Sequence, residues 1–105
     1  MGKILLSGFK LEAAEKAIAD NIIKNYQTKF ERVGFDYLKL DLRQKPHSMH
    51  GKETLYELNG LLFARKKFSS RAEGLNLFLI MAEVLDNLLQ EAEHIKRTRR
   101  QRKGV

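Results

Sequence analysis

The densest chemical feature of this 105-residue chain is a run of six cations, Lys96, Arg97, Arg99, Arg100, Arg102 and Lys103, within its last ten positions. Those six leave 14 of the 20 Lys and Arg in residues 1–95, where all 13 Asp and Glu also lie, so nearly the whole net charge of +7 belongs to the tail. A second island, Arg65, Lys66, Lys67 and Arg71, contains no acid, and a third is scattered through Lys39, Arg43, Lys45 and Lys52. Residues 72–95 are the reverse, with Glu73, Glu83, Asp86, Glu91 and Glu93 and no Lys or Arg. Local cationic excess of this kind attracts phosphate backbones and releases their condensed counterions, which makes RNA or DNA the leading partner class. The plain alternative is a solvated basic end that only aids solubility. An anionic membrane surface fits less well, because residues 96–103 offer no Trp, Phe or Leu to insert among lipids.

Other reactive residue types are sparse. There is no Cys, which removes disulfides, thiolate metal sites and thiol nucleophiles. His47 and His50 form H-x-x-H in a loop with only Glu53 as a third ligand, too few for a metal centre, so imidazole contact with a partner's phosphates or simple exposure explains them better. His94, between Glu93 and the basic tail, reads as a partly solvated helix residue. Ser69 and Ser70 are candidates for capping the last helix rather than nucleophiles. No Walker or dinucleotide pattern occurs. Catalysis is therefore the least favoured class, and no cofactor or metal is implied. Among the aromatics, only Tyr37 and Tyr56 are candidates for stacking on bases, and phosphate and shape contact by Lys and Arg is the simpler mechanism. Phe9, Tyr26, Phe30, Phe63, Phe68 and Phe78 fall at core spacings.

The elements that must position these groups follow from periodicity. Residues 3–9 are short, apolar and closed by Ser7-Gly8, a first strand. Leu11, Ala14, Ile18, Ile22, Tyr26, Phe30 and Val33 recur at helical steps and predict an amphipathic helix ended by Gly34, with Lys29 and Arg32 complementing its dipole. In residues 35–43, Leu38, Leu40 and Leu42 alternate with Lys39, Asp41 and Arg43, a strand with one charged face. Residues 44–52 hold the single Pro and predict a loop. Residues 53–58 and 61–68 predict a hairpin turning at Asn59-Gly60. The last helix is expected to begin near Arg71 to Gly74 and to run through Phe78, Met81, Leu85, Leu88, Leu89, Ala92 and Ile95. Beyond it the basic tail, residues 96–105, extends the helix or frays.

The expectation is one α+β domain, residues 1–95, ordered β-α-β-β-β-α, with a four-stranded sheet covered on one face by two helices. The longest apolar run, residues 77–82, is far below the roughly 20 residues of a membrane-spanning helix, and no secretion signal is visible at the N-terminus, so a soluble, cytoplasmic protein is expected.

Four segments carry a family likeness. They are the strand ending in Ser7-Gly8, the helix ending I-x-x-Y-x-x-x-F-x-R-V (Ile23, Tyr26, Phe30, Arg32, Val33), L-N-G-L-L-F-A at 58–64 and V-L-D-N-L-L-Q at 84–90. Together, in this order, they resemble the ribosome hibernation-promoting factor and ribosome-associated translation inhibitor family. The resemblance implies a double-stranded-RNA-binding-like domain docked on the small ribosomal subunit. It would occupy the channel of messenger and transfer RNA and inhibit translation or store idle ribosomes, holding ribosomal RNA through Lys and Arg. It assigns that role to Lys29 and Arg32 at the end of the first helix and to Lys96 and Arg97 at the end of the second. Charge adds Lys39, Arg43, Arg65, Lys66, Lys67, Arg71, Arg99, Arg100, Arg102 and Lys103 as RNA-binding candidates. Where the family commonly has basic residues along the second helix, this chain has Asn87, Gln90 and Glu93, which shifts the work to the tail.

Two other readings compete. One is a protein-interaction or homodimerisation module using the apolar start of the last helix, Leu75, Leu77, Leu79 and Ile80. The other is a general binder of double-stranded nucleic acid unrelated to ribosomes.

Overall fold

The computed structural model describes residues 2–46 and 54–103. The elements are β1 (Lys3–Ser7), α1 (Ala13–Val33), β2 (Tyr37–Pro46), β3 (Thr54–Ala64), β4 (Lys66–Gly74) and α2 (Leu77–Lys103), the expected β-α-β-β-β-α order of an α+β domain. They form one sheet in the order β1-β2-β3-β4, with β1 parallel to β2 and the other pairs antiparallel. Alternation sends Leu38, Leu40, Leu42, Leu58 and Leu62 inward, where they meet Met81, Val84, Leu85 and Leu88 of α2 in a cluster that water scarcely reaches. Phe30 of α1 and Phe35 close one end of that cluster, with ring centroids 5.8 Å apart. The helices are tied together where the Tyr26 hydroxyl donates to an Asp86 carboxylate oxygen at 2.6 Å. Burial, that hydrogen bond and the Asp86 charge push the Tyr26 pKa up to about 12.

Three local expectations are corrected. Asn59-Gly60 is not a turn: β3 runs straight through it, and the chain reverses at Arg65, between the paired residues Ala64 and Lys66. The glycine is there for packing, since a Cβ on Gly60 would stand 2.6 Å from Val84 Cγ1 and 2.9 Å from Leu88 Cδ1. With the turn moved, Arg71 to Gly74 belong to β4, not to a helix, and α2 starts at Leu77. Its cap is Asn76, whose Oδ1 accepts from the backbone N–H groups of Phe78 (3.1 Å) and Leu79 (3.3 Å), so Ser69 and Ser70 are strand residues. Finally, Phe30 of the expected α1 stripe is buried and Leu11, Ile22, Tyr26 and Val33 pack against the core, but Ala14 and Ile18 face solvent and Ala19 and Ile23 are buried in their place.

Gln44, Lys45 and Pro46 extend β2 by pairing with Tyr56, Leu55 and Thr54, so the expected loop begins later. His47, His50, Lys52 and Glu53 lie outside the described residues.

Candidate nucleic-acid interface

The topology decides where the cations meet. Because β1 and β2 are parallel, α1 must return from the Ser7 end of the sheet to the Tyr37 end, and its last turns bring Lys29 and Arg32 there, both exposed. The β3–β4 reversal stands at that same end, since Phe63 pairs with both Tyr37 and Lys67, and the Asp36 N–H donates to the Phe63 carbonyl at 2.8 Å. It presents Arg65, Lys66 and Lys67, all exposed. α2 starts beside Gly74 at the far end and runs back along β4. Asn87 Nδ2 donates to Ser70 Oγ at 3.3 Å, and His94 lines a groove with Ser69 and Ser70. The backbone then continues as helix to Lys103, so the segment bearing Lys96, Arg97, Arg99, Arg100, Arg102 and Lys103 extends from this end by roughly 13 Å at 1.5 Å per residue. Three basic segments far apart in sequence thus reach one end of a molecule 60 Å long. Both helices point their C-termini, the negative poles of their dipoles, towards the same cations.

Gly34 and Arg65 shape that end. Gly34 leaves α1 with φ of 90°, its N–H donating to the Phe30 carbonyl at 2.9 Å. Arg65 is the sole non-glycine residue with positive φ among the described residues, at 69°. A left-handed arginine costs about 1 kcal/mol or more relative to a glycine in the same place, yet it holds a guanidinium at the tip of the hairpin. Lys29 lies with its Nζ 5.0 Å from the Tyr26 ring centroid, a cation–π contact that fixes its stem against the helix.

The solvent face of the sheet is divided. On the half away from the basic end, Glu57 is a hub: its carboxylate meets Lys45 Nζ and Arg71 Nη2 at 3.2 Å each, accepts from Asn59 Nδ2 at 3.4 Å, and its side chain is 8% exposed. The Lys45 hydrogen bond, with Asn59 and the Arg71 charge, holds the Glu57 carboxyl below its ordinary value against the opposing effect of desolvation. Arg71 also reaches Glu73 at 3.7 Å. Of the candidates, therefore, Arg71 is committed to internal ion pairs, and Arg43 lies in register with Glu57. On the other half, Lys39 is exposed among Tyr37, Leu61 and Phe63.

Phe63 corrects the assignment of that ring to the core. It is on the solvent face, half-buried against Tyr37, with parallel rings 5.6 Å apart at 8°. Tyr56 instead turns inward against the core, and burial, with the nearby charges of Glu15 and Glu12, raises its pKa. The inward position follows from strand parity, since Tyr56 stands two residues from the buried Leu58 on the same strand.

The apolar start of α2 is also smaller than expected. Leu77 and Ile80 are core residues, 3% and 4% exposed, leaving only Leu75 and Leu79 at the surface, because a helix packed on a sheet buries residues three apart on one stripe.

No family model and no curated protein matches the sequence. Among solved structures, the chain is similar to a ribosomal subunit interface protein from Coxiella burnetii, with a TM-score of 0.60 at 9% identity, over 90% of this chain and 98% of that one. A minor lipoprotein from Acinetobacter baumannii aligns over 92% and 94% of the two chains at 14% identity, but its TM-score of 0.32 is too low to support an argument. In the described residues, no helix is long and apolar enough to cross a membrane. The chain has the fold of a ribosomal subunit interface protein, as the resemblance in its sequence implied.

Proposed function

We propose that this chain is a non-enzymatic, cytoplasmic RNA-binding protein that associates with the ribosome. It docks on the small subunit, grips ribosomal RNA phosphates with its basic end, and thereby restrains translation or stores idle ribosomes under stress. The observation that supports this reading is the convergence of Lys29 and Arg32, Arg65 to Lys67, and the Lys96–Lys103 helix end on one pole of a fold shared with a ribosomal subunit interface protein. Phosphate contact needs no catalytic group, only cations free to approach a polyanion. Among the described residues, Arg65, Lys66 and Lys67 make no ion pair. Of the acids of α2, Glu83 and Asp86 lie before Asn87, on the part of the helix away from the basic pole, whereas Glu91 and Glu93 stand next to the Lys96–Lys103 segment and offset part of its charge.

The test is cosedimentation of the purified chain with ribosomes across a salt series. Six phosphate contacts predict a roughly thousand-fold loss of affinity between 50 and 200 mM salt. Replacing Arg97, Arg99, Arg100 and Arg102 together by Ala should flatten the log–log salt slope by about 3 to 4 while leaving the circular dichroism spectrum and thermal midpoint of the domain near wild type. Absence of cosedimentation at low salt, or binding that ignores salt, overturns the proposal. Equal affinity for ribosomes and for naked duplex RNA would favour a general duplex binder.

A further inference from the structure

The half of the solvent-facing sheet next to the basic end is built differently from the rest. Register places Lys3, Tyr37, Phe63 and Lys67 side by side across all four strands, and Leu5, Lys39, Leu61 and Ser69 in the row beside them. Neither row contains a carboxylate. The acids of this face, Asp41, Glu57 and Glu73, are confined to the rows beyond, where Glu57 and Glu73 take up Arg71 and Glu57 takes up Lys45. Lys3, Lys39 and Lys67 are exposed and make no ion pair among the described residues. Between Lys3 and Lys67, three strand spacings or about 14 Å apart, lie the parallel Tyr37 and Phe63 rings, which overlap only in part at 5.6 Å and leave π surface open to solvent.

We infer that Tyr37 and Phe63, flanked by Lys3, Lys39 and Lys67, form a stacking platform for the unpaired nucleotides of single-stranded RNA. The inference rests on the reading of the chain as an RNA-binding protein and adds a second surface to it. The occupant follows from complementarity of both charge and shape. Flat rings accept the faces of bases that are not already stacked, and the lysines around them take the connecting phosphates. A duplex satisfies the basic end but keeps its bases stacked on one another, so it gains nothing from the rings.

The experiment is fluorescence anisotropy on the full chain with a labelled 12-nucleotide RNA lacking self-complementarity, and with the same strand annealed to its complement. Tyr37→Leu and Phe63→Leu, which keep apolar bulk and remove the π surface, should each weaken single-strand binding by roughly 5- to 100-fold and change duplex binding by less than about twofold. Phe63→Trp should keep single-strand affinity, and its indole emission should be quenched by the single strand but not by the duplex. Unchanged single-strand affinity in folded Leu variants overturns the platform, as does an equal loss for both RNAs. So does a wild-type dimer that Phe63→Leu dissociates, which would give the face to a second copy of the chain. Ribosome cosedimentation retained in any of these cases leaves the broader reading standing. Its absence in the wild type, with single-strand binding intact, removes the ribosome and not the platform.

Discussion

Gly60→Ala is the substitution that most directly tests the register on which the interface depends. A methyl at Gly60 would sit 2.6 Å from Val84 Cγ1 and 2.9 Å from Leu88 Cδ1, against roughly 3.5 to 4 Å for a relaxed carbon contact, and both neighbours are fully buried with nowhere to retreat. Overpacking of this kind costs about 1 to 3 kcal/mol, and the lower chain entropy of alanine returns about 0.5 to 1, so a net loss of up to about 2.5 kcal/mol is expected. Val84→Ala alone costs about 2 kcal/mol for the methyls it removes. Combined, the two should be less destabilising than their sum by about 1 kcal/mol or more, because the clashing Cγ1 is gone. Urea unfolding followed by far-ultraviolet circular dichroism measures all four corners, and the signal is suited to a chain with no Trp. If the two losses add to within about 0.5 kcal/mol, Gly60 does not lie beneath α2. A turn at Asn59-Gly60 would give that result, since its cost would come from backbone conformation and would be blind to Val84.

Two further outcomes follow from single side chains. Asn76→Ala should lower the unfolding free energy by about 1 kcal/mol through loss of the α2 cap, while Asn76→Asp should keep most of it, both read from urea midpoints. For Glu57, the folded-state pKa is depressed, so the unfolded chain takes up a proton first as pH falls, and its stabilisation is full above the ordinary value of 4.5 and lost on descent through the lower folded value. The stability gap between wild type and Glu57→Gln should therefore be constant at neutral pH and close below about pH 4.5. A gap that persists to pH 2 would mean that the Lys45 and Arg71 pairings contribute nothing through charge.

Elements whose identity rests on periodicity were legible from the chain itself. Leu38, Leu40 and Leu42 against Lys39, Asp41 and Arg43 define both faces of β2, and Gly34 marks the end of α1. What failed was local turn chemistry. Asn-Gly is the favoured pair for a tight hairpin, but Tyr56, Leu58, Gly60, Leu62 and Ala64 all face inward on one strand, and burying that row outweighs the local preference. No turn residue announces Arg65, which takes the left-handed conformation without being Gly or Asn. The errors at Phe63 and at Ser69 and Ser70 descend from that one: a strand shifted in register exchanges its faces, which moved Phe63 to the core, and a hairpin closed too early left Ser69 and Ser70 for a helix cap.

The same shift decides whether the cations form a site at all. β3 runs from the Pro46 end of the sheet towards the Tyr37 end. Had the chain turned back at Gly60, Arg65, Lys66 and Lys67 would lie five or more residues along the return strand, close to the Pro46 end and remote from Lys29, Arg32 and the end of α2. Continuing β3 to Ala64 carries the triplet to the opposite pole, and β4 then delivers α2 to the far end so that its whole length is available to return. Charge content was therefore readable residue by residue, whereas its convergence depends on the parity and length of one strand. A hairpin tip that tolerates a left-handed arginine is the means by which this sequence sets that length.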